Sequence, residues 1–382
     1  MTKPLEGIRV IELARILAGP WAGQILADLG AEVIKIESPA GDDTRSWGPP
    51  FIGEGDDRTA AYYYACNRGK KSVVIDFKTP EGLSDLKALI ESADVLVENF
   101  KFGGLAKYGL DYDSLKDANP GLIYASITGF GHSGPDAHKA GYDFLTQGIA
   151  GLMSITGEPH EPPQKIGIAL TDIITGLYAI IGIQAALRTR EQTGLGQHID
   201  TALLDSAVAI TSNQAMNYLA SGVAPKRMGN DHPNIVPYRV FEVSDGFIIL
   251  AVGNDGQFHR LCDILGKPDL ADDPRYNTNE ARVDHRQELV PILIDLIKPW
   301  TMADLLQECG EHAVPAAPIN DMDAVFDYPQ VVARGLQVER RGVPGVRLPI
   351  LMSDSELVSE MPAPDLGEHT EEVLSALHKE RA

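Results

Sequence analysis

The sequence predicts an α/β protein with a Rossmann-like, parallel-sheet large domain and a smaller α+β domain. Three observations carry this. Short β-branched runs alternate with amphipathic segments through the first 200 residues. Those runs are apolar at successive positions, as suits strands covered on both faces. Near Lys226 the texture turns Pro- and Asn-rich, and 382 residues exceed a typical single core.

In chain order, IRVIEL (8–13) reads as a strand and GPWAGQILADLG (19–30) as a turn and helix. VIKIE (33–37) and SVVID (72–76) read as strands, and a helix is expected from Pro80 to about Ser92. VLVENF (95–100) and LIYASITGF (122–130) are the next strands, and a long apolar helix begins near Asp172. Strand–helix–strand repetition implies ligand sites at the carboxyl ends of the strands. That singles out 14–20, 76–78, 99–101 and 129–134.

Further on, FEVSDGFIILAVG reads as a hairpin turning at Asp245-Gly246, followed by helices and an extended VPAAPIN (314–320). The expected division is a large domain over 1–200, completed by about 330–382. A linker over 201–225, a small α+β domain over 226–320 and a linker over 321–330 make up the rest.

A formal charge of −21 argues against a nucleic-acid partner, since phosphate backbones need clustered Lys and Arg. It still allows a phosphorylated small molecule held by a few local cations and amides. The N-terminus lacks the layout of a signal peptide. The longest apolar stretch, around 173–187, is interrupted by Thr175, Gly176 and Gln184, short of the ~20 residues a span needs. A soluble, cytoplasmic protein with no membrane partner is expected. Cys66, Cys262 and Cys309 are far apart, so neither a disulfide framework nor a CxxC metal site is visible.

Asp172 stands where a loop becomes a long helix. Read by itself, Asp in a first helical turn caps free amides and complements the macrodipole. The same place suits a nucleophile, because those amides can stabilise charge on an acyl intermediate. An acylated carboxylate, a mixed anhydride, is also reactive enough to pass to a thiolate. His132 and His138 read as loop histidines exposed to solvent. Ser133 and Ser154 lack a GxSxG elbow. Lys70 and Lys71 read as a solvated surface pair rather than a phosphate contact. AGPWAG does not match GxGxxG, and no HExxH, HxH or EF-hand pattern occurs, so neither a nicotinamide nor a metal is expected.

Several blocks together are similar to the family III (CaiB/BaiF) CoA-transferases. They are PLEGIRVIELARILAGPWAGQILADLGAEVIKIESPAGDDTR, NRGKKSVVIDFKTPEG, ADVLVENFKFGGLAKYGLDYDSL, SITGFGHSGP, AGYDFLTQGIAGLMSITG, TGLGQHID, PNIVPYRVF and VPAAPINDM. Each is weak alone, but their order and spacing run from about residue 5 to the C-terminus. Within the family, GDDTRSWGPPF, the RMG…IVPY segment and GNDGQF lean toward the succinyl-CoA:dicarboxylate branch, which includes the succinate–hydroxymethylglutarate (glutarate) transferase.

The resemblance implies that Asp172, in TDIITGLYA, is the nucleophile. It places CoA contacts on Arg15, Ile16, Leu17, Ala18, Ile75, Asp76, Phe77, Lys78, Asn99, Phe100, Lys101, Lys107 and Tyr142. Ser38 stands where related transferases carry Arg, which removes a cation–adenine contact. The glycine-rich loop of formyl-CoA transferases is absent, which argues against formyl-CoA as donor.

The resemblance further implies a CoA donor, with succinyl-CoA expected, a free dicarboxylic acceptor, and no cofactor beyond CoA itself. An interlocked homodimer is implied in the same way. Arg239, in NIVPYRVF, is either a partner for the acceptor's second carboxylate or a plain strand Arg. The same fold hosts 2-methylacyl-CoA racemases, the alternative reading. Those carry GHD where this chain reads GYD, and a tyrosine with a pKa of about 10 is a poor base at neutral pH.

Overall fold

The computed structural model describes residues 3–55 and 58–381. The chain divides into two compact units. One comprises Met1–Leu152, Lys165–Ala220 and Pro329–Ala382; the other comprises Met153–Gln164 and Ser221–Tyr328.

The first unit runs β1 (Arg9–Glu12), α1 (Ala18–Asp28), β2 (Glu32–Glu37) and a short β3 (Phe51–Ile52) and β4 (Thr59–Ala60). It continues through α2 (Ala61–Tyr64), β5 (Lys70–Val74), α3 (Pro80–Glu91), β6 (Val95–Glu98), α4 (Tyr112–Leu115) and β7 (Ile123–Thr128). Then come α5 (Asp143–Ile149), α6 (Leu152–Ile155), which leads into the Met153–Gln164 segment of the second unit, and, back in the first, α7 (Leu170–Thr193), β8 (His198–Ala202), α8 (Leu203–Ala209) and α9 (Ser212–Ser221).

Six of these strands form one sheet in the order β5-β2-β1-β6-β7-β8, every neighbouring pair parallel. This is the doubly wound order, with its switch point between β1 and β6. The apolar runs explain why both faces are covered. Val10, Val33, Val95 and Val97 face α1 and α7, whereas Ile11, Ile34 and Leu96 face α3 and the last helix, Thr370–Arg381. Successive residues of one strand thus enter two different cores. Thr79 caps α3 by accepting from Gly82 N, with Pro80 at the first helical position.

Two expectations change here. Residues 201–225 are not a linker, because His198–Ala202 pairs with β7 as the sixth strand and α8 and α9 follow it. Likewise, 321–328 belong to the second unit and carry a helix, Met322–Asp327. β8 is a polar edge strand, partly exposed along most of its length, so no apolar run announces it.

The helix α7, at 24 residues, is long and apolar enough by composition to cross a membrane, unlike the expectation from its interrupted sequence. Its Ala179, Ile180, Ile183, Ala186 and Leu187 are packed in the core beside α1.

Lys70 is neither solvated nor surface. It is fully buried and paired with Glu12 at 2.7 Å, and it donates to Pro20 O and Asn67 Oδ1. Lys35, also buried, shares Glu12 at 3.0 Å and reaches Asp42 at 2.9 Å. Lys71 points elsewhere, to Glu32 and Glu372.

In the second unit, β9 (Tyr238–Val243) and β10 (Gly246–Ala251) pair antiparallel, and β11 (Ala316–Pro318) joins β10. Val243 sits opposite Gly246, so the turn is Ser244-Asp245, one residue before the expected place. Its core includes Phe241, Ile248, Leu250, Phe258, Leu289 and Leu293. Arg239 on β9 is paired with Asp231 at 3.2 Å.

Candidate active site

The switch point brings two loops together. After β1, Arg15 N donates to Asn99 Oδ1 at 2.9 Å; after β6, Asn99 Nδ2 donates back to Arg15 O at 2.7 Å. Next in the chain, Ile16 has φ 71°, a left-handed conformation that a β-branched residue adopts only under constraint, at a cost of roughly 1–3 kcal/mol. The constraint is visible. Ile16 N donates to Asp42, and its carbonyl accepts a weak bond from Cys66 Sγ at 3.6 Å. Asp42 is anchored by buried Lys35. Burial alone would lower that ammonium, but Glu12, Asp42 and Glu37 outweigh it and hold it above its ordinary value.

Two cavities open at these strand ends. The first, about 380 Å³, is lined by Arg15, Ile16, Leu17, Ala18, Asn99, Phe100, Lys101, Tyr142 and Asp172. The second, about 460 Å³, takes Ile75, Asp76, Phe77 and Lys78, with Ser38 in its wall. Lys107 lines neither; its ammonium lies over the Tyr108 ring, 4.9 Å from the centroid. His132 and His138 flank the Phe102 ring without lining either cavity.

Asp172 lies in the first turn of α7, largely enclosed. Burial, and then the charge of Asp143, push its carboxyl up to about 7. Asp143 is tied to the same helix start. It accepts from Thr171 N at 2.8 Å, Thr171 Oγ1 at 2.9 Å and Gln147 Nε2 at 2.8 Å. The cap of α7 therefore comes from α5, which leaves Asp172 free of that duty. Among the described residues, no hydrogen bond to the Asp172 carboxylate is found.

Backbone crossings set this geometry. A Cβ at Gly176 would stand 2.7 Å from Ala18 O, so the starts of α7 and α1 meet only because position 176 is glycine. Gly129 and Gly141 touch backbone to backbone, which fixes Tyr142 and Asp143 against the end of β7.

Sequence reasoning missed Asp143, Thr171 and Lys139, which lines the first cavity. It also missed Tyr62, whose hydroxyl burial, with the Asp172 charge next, pushes up to about 12. Trp47 meets the Tyr62 ring edge-on at 5.5 Å. The available signal for Asp143 was its place directly after Tyr142 in GYD. For Tyr62 it was the aromatic run AYYY, which reads equally well as core.

Residues 5–370 match the sequence profile described as CoA-transferase family III. This chain belongs to that family. It is similar to the succinate–glutarate CoA-transferase of Agrobacterium fabrum, 58% identical over 98% of this chain and 96% of the relative. It is also similar to the human succinyl-CoA:glutarate CoA-transferase, at 43% over 97% of this chain and 85% of that one. A crystal structure of a CAIB/BAIF family protein from Brucella suis superposes with a TM-score of 0.89 at 56% identity, covering 99% of this chain and 100% of the other. This family III transferase thus uses a CoA thioester as substrate, and its α/β fold is that of its solved relative.

Proposed function

We propose that this transferase moves CoA from succinyl-CoA to a small dicarboxylic acid, glutarate being the acceptor its relatives' names give. Asp172 is the covalent nucleophile. The observation that carries this is Asp172 itself, a carboxylate without a capping role, at the wall of a cavity built from the switch-point loops.

The ionised Asp172 attacks the donor thioester carbonyl, expelling CoA thiolate and forming an acyl-aspartyl anhydride. The thiolate attacks the aspartyl carbonyl, releasing the donor acid and leaving an aspartyl-CoA thioester. The acceptor carboxylate then attacks that carbonyl, expelling the thiolate and forming a second anhydride. Finally the thiolate attacks the acceptor's acyl carbon, giving the new thioester and free Asp172. Charge balances at each step, so no proton is required.

Retaining the thiolate makes each return attack effectively intramolecular, worth ~7–11 kcal/mol. In this reading Lys78 in the second cavity and Lys101 and Lys139 in the first neutralise CoA phosphates and the acceptor. Arg239 is paired with Asp231, and this reading gives it no part in binding the acceptor. The racemase alternative is set aside: the family and its named relatives are transferases, and Tyr142 stands where a basic His would be needed.

A cytoplasmic, interlocked homodimer belongs to the same proposal. Exposed Phe144, Leu145 and Ile149 on α5, with Leu177 and Ile181 on α7, support an assembly through the first unit.

Intact-mass and peptide mass spectrometry of enzyme quenched during turnover tests the mechanism. A succinyl or CoA adduct on the peptide containing Asp172 is expected. Product formation with no adduct on that peptide, with or without hydroxylamine, overturns it.

A further inference from the structure

Arg15 and Phe100 line both cavities, so the loops carrying them form the wall between the two. Asn99 fixes Arg15. Phe100 is fixed by its neighbour on the other side: Phe100 N donates to the Glu98 carboxylate at 2.7 Å. Glu98 ends β6, is only 4% exposed, and has no place in the reaction steps above.

Behind Glu98 a polar line crosses the strand ends. Fully buried Ser126 on β7 lies within hydrogen-bonding reach of the Glu98 carboxylate, and its hydroxyl meets His198 Nε2 on β8 at 2.9 Å. Asp200 on β8 faces the same group and accepts from His132 N. The His132 ring packs on His198 at 4.9 Å, Asp113 acts on His198, and Tyr124 on β7 points its hydroxyl to Leu110 O. Among the described residues, no lysine or arginine pairs with Glu98.

We propose that Glu98 is a positioning residue for CoA, whose ionised carboxylate pins Phe100 and thereby the wall between the two halves of the site. The inference rests on the CoA-binding reading above.

Its chemistry follows from donors and acceptors. Ionised, Glu98 only accepts, taking Phe100 N–H and Ser126 O–H, while Ser126 accepts from His198. Neutral, it must place its own proton, and Ser126 Oγ is the acceptor in reach. The serine hydrogen then turns to His198, and Phe100 is left with a weaker, neutral acceptor. Burial is the largest influence and raises Glu98 to about 7; the Ser126 and Phe100 bonds oppose it, and Asp200 adds to it. CoA binding should therefore weaken as pH falls through neutrality.

The test uses full-length Asp172→Asn protein, which cannot turn over, and titrates CoA by calorimetry between pH 6 and 8.5. The expected result is a Kd that rises several-fold toward pH 6. In Asp172→Asn/Glu98→Gln, the Kd at pH 8 should be about fivefold weaker, and this component of the pH dependence should vanish. Titration of the CoA phosphates is common to both proteins and cancels in their ratio. Asp172→Asn/Ser126→Ala should move the midpoint to higher pH, because the lost bond favoured the charged form.

Equal weakening at pH 6 and pH 8 in the Glu98 variant would reduce it to a packing residue and overturn the proposal. Absence of CoA binding by Asp172→Asn alone would instead overturn the CoA-site reading, and this inference with it. Thermal unfolding checks each variant; where Glu98→Gln does not fold, the direction of the Ser126→Ala shift decides.

Discussion

Asp143 accepts hydrogen bonds from both the backbone N and the hydroxyl of Thr171, the residue immediately before Asp172. One carboxylate thus caps the helix that carries the other and raises its proton affinity. Asp143→Ala should lower stability by about 1 kcal/mol, as for a lost cap, and reduce kcat at least tenfold with a smaller change in KM. Asp143→Asn keeps an acceptor for Thr171 but removes the charge, so the acid limb of kcat should move to lower pH. An unchanged limb would show that the two carboxylates are not coupled. Steady-state kinetics from pH 5.5 to 8.5 supply both readouts.

Asp172 must be ionised to attack, and burial followed by Asp143 holds its carboxyl near 7. With donor saturating, kcat should fall as pH drops through 7, approaching tenfold per unit below it. The same shift has a stability cost. A carboxyl whose folded pKa lies above its unfolded value opposes folding once pH exceeds both, and not at all below both. Asp172→Asn should therefore raise stability at pH 8, by at most roughly 4 kcal/mol, with the gain fading toward pH 4. Denaturant melts at the two pH values check this; a gain of equal size at both would contradict the assignment.

The strand ends were legible because buried parallel strands are dense in β-branched and other apolar residues that do not alternate strictly with polar ones. RVIE, EVIKIE, VLVE and IYASIT all lie within one or two residues of the reading, and the loops after them do line the two cavities. The strand order was not legible, since nothing in the runs states that β6 pairs with β1. The edge strand His198–Ala202 was lost for the opposite reason, having no buried run to display.

Lys70 was misread because two adjacent lysines resemble a wet surface. Strand alternation sends Lys71 out and Lys70 in, onto a carboxylate 58 residues earlier. Asp143 was missed because an acidic first turn explains itself locally, whereas its real partner lies 28 residues away. Distance in sequence, more than chemistry, set the limit.

The two lysines should separate cleanly. Lys70→Met removes one of two cations from the fully buried Glu12 and strands Asn67 and Pro20 O, so a loss of about 3 kcal/mol is expected. Lys71→Ala breaks only partly exposed pairs and should cost under about 1 kcal/mol. Urea melts of the two variants decide it; similar losses would contradict the burial assigned to Lys70.

Gly176 links the packing of the core to the placement of the nucleophile. Replacing it by alanine should favour an isolated helix by up to about 1 kcal/mol. Within α7, however, the new methyl would stand 2.7 Å from Ala18 O and 3.2 Å from Trp21 Cδ1. The backbone of α1 cannot yield without moving Leu17 and Ala18, which share the first cavity with Asp172. Gly176→Ala should therefore lose about 1–3 kcal/mol of stability and at least tenfold in kcat/KM. Gly310→Ala is the control: a methyl added to that helical glycine would meet no atom within 4 Å, so stability should hold or rise by up to about 1 kcal/mol, with activity unchanged. If both variants kept full activity, the close approach of α7 to α1 would have no part in setting the site.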